Sequence, residues 1–279
     1  MARRAAVQAI HDETTQEVVP TEAGEEAGTG VKSARRTIDL LETFAENPAW
    51  TSLADLHVRT GFPRSSLHGL LRTLRDAGWI ETDTGGTRFR LGVRALICGT
   101  AYLDRDPAMP HATEALERVR EQTGFTAHYA RLSGGQVVYL ETRESRHSMH
   151  LVSRVGRTLP AYATSLGKAL LAELTESELT GLLPKSLAPL TENTITSRDK
   201  LRDELAVVRE RGYAFEHEEG TAGVACVAAV VPYRIPATDA LSCSMPAAQA
   251  TDSETRRIGE LLAEVTDDLS QRLRRAGIR

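Results

Sequence analysis

Apolar residues recur three and four positions apart in three short segments between residues 34 and 78. The positions are Ile38, Leu41 and Phe44 in the first segment, Leu53, Leu56 and Val58 in the second, and Leu67, Leu70, Leu71 and Leu74 in the third. This spacing places the apolar side chains on one face, so it predicts three short amphipathic helices. Pro48 ends the first helix because proline cannot continue one, and Gly61 and Gly78 end the others. Thr51 or Ser52 can cap the second helix.

Two short strands follow the third helix. Residues 79–81 and 88–91 have strand-like composition, and the segment Asp83-Thr84-Gly85-Gly86 between them is typical of a hairpin turn. Three short helices followed by a hairpin make a winged helix-turn-helix, which we place at residues 31–91.

The charge of this region differs from that of the whole chain. The protein carries a formal net charge of −4, yet residues 59–94 contain seven arginines against three acidic residues. With the leucines of the third helix turned inward, its outer face carries Arg64, Ser65, His68 and Arg72. Short polar and basic side chains near the start of a helix suit the major groove of duplex DNA.

Each of these side chains has a plausible role toward a DNA partner. Arg64 and Arg72 can reach guanine edges or phosphates, and Ser65 and Ser66 can donate hydrogen bonds to phosphate. Arg88 and Arg90 on the wing strands are placed for the backbone or the minor groove. The alternative is a winged helix used as a protein-interaction module, without specific DNA binding.

Residues 92–104 form a predicted connector helix rich in small and apolar residues. Such a surface needs a partner, and pairing between two chains is the simplest use for it. A homodimer would also place two recognition helices on two half-sites. Cys98 in this segment is expected to be a buried small hydrophobe.

Residues 105–279 form a second predicted domain. Helices are expected at about 107–123, 165–174, 175–183, 197–211 and 252–275, and strands at about 126–132, 136–142, 148–154, 213–216, 224–231 and 241–245. Thr196 and Asp199 are expected to cap the helix at 197–211. Hairpins before and after a group of helices predict an α+β domain whose antiparallel sheet is flanked by helices. Such a sheet commonly holds a small ligand on one face.

Enzyme chemistry is not supported by the residues of this domain. Cys226 with His217 as base is the strongest catalytic candidate, but Cys226 lies in an apolar run typical of a buried strand, where burial opposes thiolate formation. No group of residues has metal-ligand spacing, and no phosphate-binding or dinucleotide motif is present, so we predict no catalytic residue, metal or cofactor. His128 is expected to be an ordinary strand histidine.

Two features of the second domain favour a small ligand. The segment from Ala163 to Ala169 begins a helix after a loop, so its first backbone N–H groups can bind an anion. Ser242 and Ser244 alternate on a strand and therefore share one face. A capping serine and two exposed serines with no ligand explain these features equally well.

Composition predicts the state of the N-terminal segment and excludes several classes of protein. Residues 1–30 contain six acidic and two basic residues, no aromatic residue and no apolar periodicity, so we expect a disordered acidic arm. No apolar run is long enough for a membrane span or a signal peptide. Three cysteines without close spacing do not form a disulfide framework. A soluble, cytoplasmic protein is expected.

The region from about residue 31 to 275 resembles the IclR family of bacterial transcriptional regulators. In the first domain the resemblance lies in SLADL at 52–56, TGFPRSSLH at 60–68, LLRTL at 70–74 and GWI at 78–80. In the second domain it lies in GR at 156–157, ATSLGKALL at 163–171, RGY at 211–213, EE at 218–219 and GVACVA at 223–228. Several motifs in one order over nearly the whole chain make the resemblance specific.

The resemblance implies a winged helix-turn-helix domain, a connector helix and a GAF-like effector domain, assembled as dimers or dimers of dimers. It implies a bacterial regulator, more often a repressor, that joins the nucleoid when bound to its DNA operator. A small effector, such as a carboxylic, aromatic or amino-acid-like metabolite, would alter DNA binding. Carried over to matching positions, the effector site comprises Ser165, Leu166, Glu216, Cys226, Ser242 and Ser244.

This chain departs from the family pattern at four positions. Gly69 stands where a basic residue is usual, so one DNA contact is expected to be missing. Leu166 is bulkier than usual and would reshape the pocket, and Met245 replaces a glycine that often follows the second serine. Glu216 adds a carboxylate that, if ionised, would favour a ligand bearing an amine or hydroxyl group.

Overall fold

The computed structural model describes residues 30–47, 49–145 and 155–279. The chain divides into two compact units, one ending at Ile97 and the other beginning at Cys98. In the first unit the elements are α1 (Lys32–Glu46), β1 (Thr51–Ser52), α2 (Leu53–Thr60), α3 (Arg64–Asp76), β2 (Ile80–Thr82) and β3 (Arg88–Leu91). The three strands pair in the order β1-β3-β2. The predicted winged helix-turn-helix is confirmed.

Local interactions explain where α2 begins and ends. The Ser52 hydroxyl accepts a hydrogen bond from the Asp55 amide, and the Asp55 carboxylate accepts one from the Ser52 amide, which forms a capping box. Gly61 ends the helix with φ +66°, a left-handed conformation that favours glycine. Both boundaries follow from residues visible in the sequence.

The core of the first unit differs from the predicted apolar faces in two places. The buried apolar residues are Leu40, Phe44, Leu56, Leu67, Leu71, Leu74 and Ile80. The prediction for Val58 was wrong, because it lies about 200° around α2 from Leu56 and is 81% exposed. Ile38 is 48% exposed, since α1 packs through Leu40 and Phe44 instead.

The connector is the helix α4 (Val93–Asp104), and none of its residues is buried in the chain. Four of its large apolar residues, Val93, Leu96, Ile97 and Tyr102, are exposed. The predicted burial of Cys98 is wrong for the single chain, because Cys98 is exposed. Near the end of the same helix, Leu103 is half-buried and packs against the core of the second unit.

The second unit consists of one antiparallel sheet between two layers of helices. After α4 come α5 (Met109–Thr123), β4 (Thr126–Ser133), β5 (Gln136–Arg143), β6 (Thr158–Pro160), α6 (Ser165–Ala172), α7 (Glu176–Leu182), α8 (Arg198–Arg211), β7 (Ala214–His217), β8 (Val224–Val230), β9 (Asp239–Pro246) and α9 (Asp252–Arg275). The strand order of the described sheet is β6-β5-β4-β9-β8-β7. The α+β class of the whole chain is confirmed.

Successive side chains of each strand point to opposite faces of the sheet, and this alternation produces two cores, one on each side. Ala127, Tyr129, Leu241 and Cys243 face α5 and α9, which contribute Leu116 and Leu262 among others. Ala130, Ala228 and Ala240 face the opposite way, toward α6 and α8. The small side chains on this second face allow α6 to lie close to the sheet.

Some predicted elements need correction. The N-cap of α8 is Ser197, whose hydroxyl accepts from the Lys200 amide, and not Thr196. The short edge strand β6 was not predicted. The predicted strand at 148–154 and the predicted arm, apart from Gly30, lie outside the described residues. In the described part of the chain, no helix is long and apolar enough to cross a membrane.

Candidate functional site

The outer face of α3 is exposed and basic. Leu67, Leu71 and Leu74 turn into the core and fix the orientation of the helix. As a result Arg64, Ser65, His68 and Arg72 are all exposed. This part of the arrangement agrees with the face predicted from the spacing.

The structure separates the seven arginines of residues 59–94 into two groups. Four are held by protein partners: Arg59 by Glu46 at 3.4 Å, Arg75 by Asp76 at 2.8 Å, Arg90 by Glu81 at 2.9 Å, and Arg94 by the Ala77 carbonyl at 2.8 Å. The guanidinium groups of Arg64, Arg72 and Arg88 have no hydrogen-bond or ion-pair partner among the described residues. Three cations therefore remain free for an external anion.

Two predicted DNA contacts already have partners within the protein. The Ser66 hydroxyl accepts a hydrogen bond from Arg36 Nη1 at 3.1 Å. The Arg90 guanidinium also lies 4.4 Å from the centre of the Trp50 ring, in addition to its ion pair with Glu81. Arg90 can reach DNA only by sharing or exchanging these contacts, whereas the Ser66 hydroxyl, which is the acceptor from Arg36, can still donate its own O–H.

Arg36 is a residue that the sequence analysis missed. Its guanidinium lies 5.2 Å from the centre of the Phe62 ring and beside Ser66, at the start of α3. A cation held at the first turn of a recognition helix is well placed for a DNA phosphate. No local pattern indicates this, because the contact joins residues thirty positions apart.

The wing is held in shape by one aspartate. Asp83 Oδ1 accepts hydrogen bonds from the Thr87 amide at 2.8 Å and the Arg88 amide at 3.0 Å. The hydrogen bond from the Arg88 amide is the largest cause that lowers the pKa of Asp83, and the one from the Thr87 amide also lowers it. The turn therefore presents the exposed side chain of Arg88 in a defined position.

The strand registers bring four of the predicted effector residues together on one face of the sheet. In the row nearest the β9 C-terminus, Glu216 lies opposite Cys226, Cys226 opposite Ser244, and Ser244 opposite Thr126. The next row contains Ala214, Ala228, Ser242, His128 and Thr142. The predicted common face of Ser242 and Ser244 is confirmed, but both are buried, at 1% and 4% exposure.

The other two predicted effector residues, Ser165 and Leu166, lie at the start of α6, which covers this face of the sheet. Ser165 and Leu166 are each 1% exposed. The Thr164 hydroxyl caps the Gly167 amide at 3.0 Å. The amides of Ser165 and Leu166 belong to the first turn and have no partner within the helix. Two N–H groups therefore begin α6 on the side of the sheet where the polar rows lie.

Glu216 belongs to a buried group of charges. Its Oε2 accepts a hydrogen bond from the Glu219 amide at 2.8 Å, and the Glu219 carboxylate pairs with Lys168 of α6, which is 0% exposed. Burial raises the pKa of Glu216 to about 7. The carboxyl group is therefore close to half-protonated at neutral pH, so the preference for an amine or hydroxyl ligand, which was conditional on an ionised Glu216, applies fully only above neutral pH.

His128 lies in the second polar row and is a buried, hydrogen-bonded strand histidine, as the sequence analysis expected. Its Nδ1 is 3.0 Å from Thr142 Oγ1, and its ring meets that of Tyr139 edge-on at 5.2 Å. Burial lowers the pKa of His128 to about 3, so the imidazole is neutral. Thr126 and His128 alternate just as Ser242 and Ser244 do, and that shared pattern was available in the sequence.

The geometry separates the catalytic pair considered above. Cys226 and Glu216 face α6, whereas His217 is the next residue of β7 and points to the opposite side. Burial raises the pKa of the Cys226 thiol well above its ordinary value, and its Sγ lies 3.1 Å from Ser244 Oγ. Across the described ranges, no three His, Cys, Asp or Glu side chains are grouped as metal ligands.

Comparisons with known proteins cover both units. The family model described as the IclR helix-turn-helix domain matches residues 33–84, and that of the bacterial transcriptional regulator IclR C-terminal domain matches residues 100–271. The HTH-type transcriptional regulator XynR of Escherichia coli is 33% identical over 245 residues, which are 87% of this chain and 97% of that protein. The acetate operon repressor of Salmonella typhimurium is 31% identical and covers 86% of this chain and 89% of its own.

Solved structures agree with these matches. A crystal structure of an IclR homologue from Microbacterium hydrocarbonoxydans, complexed with 4-hydroxybenzoate, has a TM-score of 0.72 at 25% identity and covers 87% of this chain and 99% of its own. The two family models together match more than half of the residues, in the order that the motifs predicted. The chain belongs to the IclR family of bacterial transcriptional regulators.

Proposed function

We propose that this protein is a transcriptional regulator, acting as a repressor and not as an enzyme, that binds a DNA operator through α3 and the wing. The observation that carries the proposal is that some arginines of residues 59–94 are held by protein partners and others are not. The guanidinium groups of Arg64, Arg72 and Arg88 have no hydrogen bond or ion pair within the described residues, and these arginines lie on the two elements that a winged helix-turn-helix places against DNA. Arg36, Ser65 and His68 would complete the surface, and Ser66 and Arg90 would contribute less.

Two copies are needed for the operator that we propose. The exposed apolar residues of α4 give the connector helix a surface suited to a second copy. A symmetric dimer would place two α3 helices on half-sites separated by about 34 Å, one turn of duplex. We therefore propose a homodimer or a dimer of dimers that acts in the cytoplasm and joins the nucleoid when bound to DNA.

A small effector would bind between α6 and the polar rows of the sheet. Ser165 and Leu166 would supply backbone N–H groups, Ser242 and Ser244 hydroxyl groups, and Cys226 and Glu216 would complete the wall. Hydroxyl groups and free N–H groups can bind a carboxylate, and the alanines of the next row leave an apolar side for an aliphatic or aromatic body. The 4-hydroxybenzoate bound by the Microbacterium homologue has this chemistry.

Regulation follows from linkage between the two sites. DNA selects one arrangement of the recognition helices, and the effector selects one state of its own domain. A coupling of about 1–3 kcal/mol would change operator affinity about 5–150-fold.

The DNA proposal is tested by arginine substitutions read by fluorescence anisotropy. Arg64→Ala and Arg72→Ala should each weaken binding to the operator about tenfold or more, because each removes a free cation from the proposed interface. Arg75→Ala is the matched control, since it is on the same helix but is paired with Asp76. Equal effects of all three substitutions would contradict the assigned face.

The effector proposal is tested with the double variant Ser242→Ala and Ser244→Ala. A panel of small aliphatic and aromatic carboxylic acids is scanned for compounds that change operator binding of the wild type. The double variant should lose that response while keeping its DNA affinity, and Ser177→Ala, an exposed serine of α7, should keep both. A full response in the double variant would remove these serines from the site.

A further inference from the structure

One nitrogen of the His128 imidazole has no partner although the residue is buried. His128 of β4 is 2% exposed, and its Nδ1 lies 3.0 Å from Thr142 Oγ1 of β5. Its Nε2 has no hydrogen-bond partner within the described residues. Buried polar atoms in native proteins nearly always have a hydrogen-bond partner, because leaving one unsatisfied is unfavourable. The contact with Thr142 therefore accounts for only half of this side chain.

A second buried polar group without a partner lies directly opposite His128. Ser242 of β9 pairs with His128 in the strand register, so the two side chains point to the same face of the sheet. Ser242 is 1% exposed, and its hydroxyl makes no hydrogen bond to any residue that the structure describes. Two neighbouring polar groups that the folded chain leaves unsatisfied indicate a polar group of a bound molecule between them.

The chemistry of these two side chains favours a hydroxyl group in that position. Burial, and to a smaller extent the charge of Arg157, lowers the pKa of His128 to about 3, so the imidazole is neutral. A neutral imidazole has one donor and one acceptor nitrogen, and the contact with Thr142 is compatible with either assignment. A hydroxyl group both donates and accepts hydrogen bonds, so it can bind Nε2 in either tautomer and the Ser242 hydroxyl as well.

We propose that His128 and Ser242 bind a hydroxyl group of the effector, whose carboxylate lies at Ser244 and the first turn of α6. Ser244 pairs with Thr126, so His128 is its diagonal neighbour on β4. Diagonal neighbours on paired strands are about 7–8 Å apart. The effector class is therefore a carboxylic acid with a hydroxyl group at the far end of its body. This assignment refines the role of Ser242 in the proposed effector site, on which it rests.

The test is isothermal titration calorimetry of the full-length protein with matched acids. 4-Hydroxybenzoate and 5-hydroxypentanoate carry the hydroxyl group at the far end, and benzoate and pentanoate lack it. Each hydroxylated acid should bind about tenfold more tightly than its counterpart, because without the hydroxyl group two buried polar groups stay unsatisfied. 2-Hydroxybenzoate, whose hydroxyl group is next to the carboxylate, should gain no affinity over benzoate.

Variants of His128 locate the effect. His128→Phe keeps an aromatic ring against Tyr139 but has no hydrogen-bonding nitrogen, so it should bind both members of each pair with equal affinity. His128→Gln keeps a neutral hydrogen-bonding group and should retain part of the preference. His217→Phe is the matched control, since His217 is an exposed histidine of the same sheet that points to the other side, and it should retain the full preference. Circular dichroism verifies that each variant is folded.

The outcomes separate this assignment from the proposed function. If none of these acids binds to the wild type, the proposed carboxylate site fails, and the assignment of His128 fails with it. If the acids bind but the hydroxylated ones gain no affinity, a buried water molecule satisfies His128 and Ser242, and the assignment alone is overturned.

Two further results would also overturn the assignment alone. One is a full preference for the hydroxylated acids in His128→Phe. The other is tighter binding of benzene-1,4-dicarboxylate than of 4-hydroxybenzoate, which would indicate a second anionic group near Arg157. A preference that is present in the wild type and in His217→Phe, reduced in His128→Gln and lost in His128→Phe supports the assignment.

Discussion

Glu216 offers a test of the effector site that needs no ligand. The residue is 3% exposed, and burial is the largest cause that raises its pKa from 4.5 to about 7. In the unfolded chain the carboxyl group keeps an ordinary pKa. Below pH 4.5 both states are protonated, so the favourable contribution is fully present there, and it is lost as the pH rises through about 7.

The size of the effect follows from the shift. One pKa unit corresponds to about 1.4 kcal/mol, so the ionised Glu216 lowers the free energy of unfolding by about 3 kcal/mol at pH 8 compared with pH 4. Glu216→Gln keeps the side-chain size and an acceptor for the Glu219 amide but cannot ionise. The stability of this variant relative to the wild type should therefore rise between pH 5 and pH 8 by a similar amount.

The assay is urea denaturation of both proteins at several pH values. Both tryptophans, Trp50 and Trp79, belong to the first unit, so unfolding of the second unit is followed by far-ultraviolet circular dichroism. Glu192→Gln, at an exposed position of the second unit, is the control. A difference between Glu216→Gln and the wild type that stays constant with pH would refute the buried ionisation.

Two further predictions concern the packing of the second unit. In Gly259→Ala the new Cβ would lie 2.6 Å from the ring of Tyr213. We therefore expect the free energy of unfolding, measured by urea denaturation, to fall by about 1–3 kcal/mol. Unchanged stability would contradict the close packing of α9. Asp239 is 0% exposed and binds Arg131 at 2.6 Å. Asp239→Asn should therefore lower the free energy of unfolding by about 3 kcal/mol, because it leaves the cation underpaired. A loss below about 1 kcal/mol would show that this ion pair is not a main support of the sheet.

Elements with local start and stop residues could be predicted from the sequence. The bounds of α2 follow from the Ser52 cap and Gly61, and those of α9 from an apolar period that continues over 24 residues. Errors arose where two local solutions compete. Thr196 and Ser197 are both capping residues, and the structure places the cap at Ser197, with Leu201 and Leu205 of the same helix in the core.

The sites were predictable only as far as they depend on one element. The outer face of α3 follows from the leucine spacing, but whether an arginine is free depends on a partner on another element. Glu81 holds Arg90 in this way, and Arg36 reaches Ser66 from a different helix. The His128–Thr142 contact likewise depends on a strand register that the residues of β4 alone do not determine.

The most direct test of the account is the binding of the full-length protein to the DNA upstream of its own gene, compared with a scrambled duplex at two salt concentrations. We predict tight binding to the first duplex, weaker binding to the second, and loss of affinity for both at the higher salt concentration, because free arginines replace counterions on phosphates. No binding to either duplex at low salt would contradict the account and would favour a winged helix that binds protein instead.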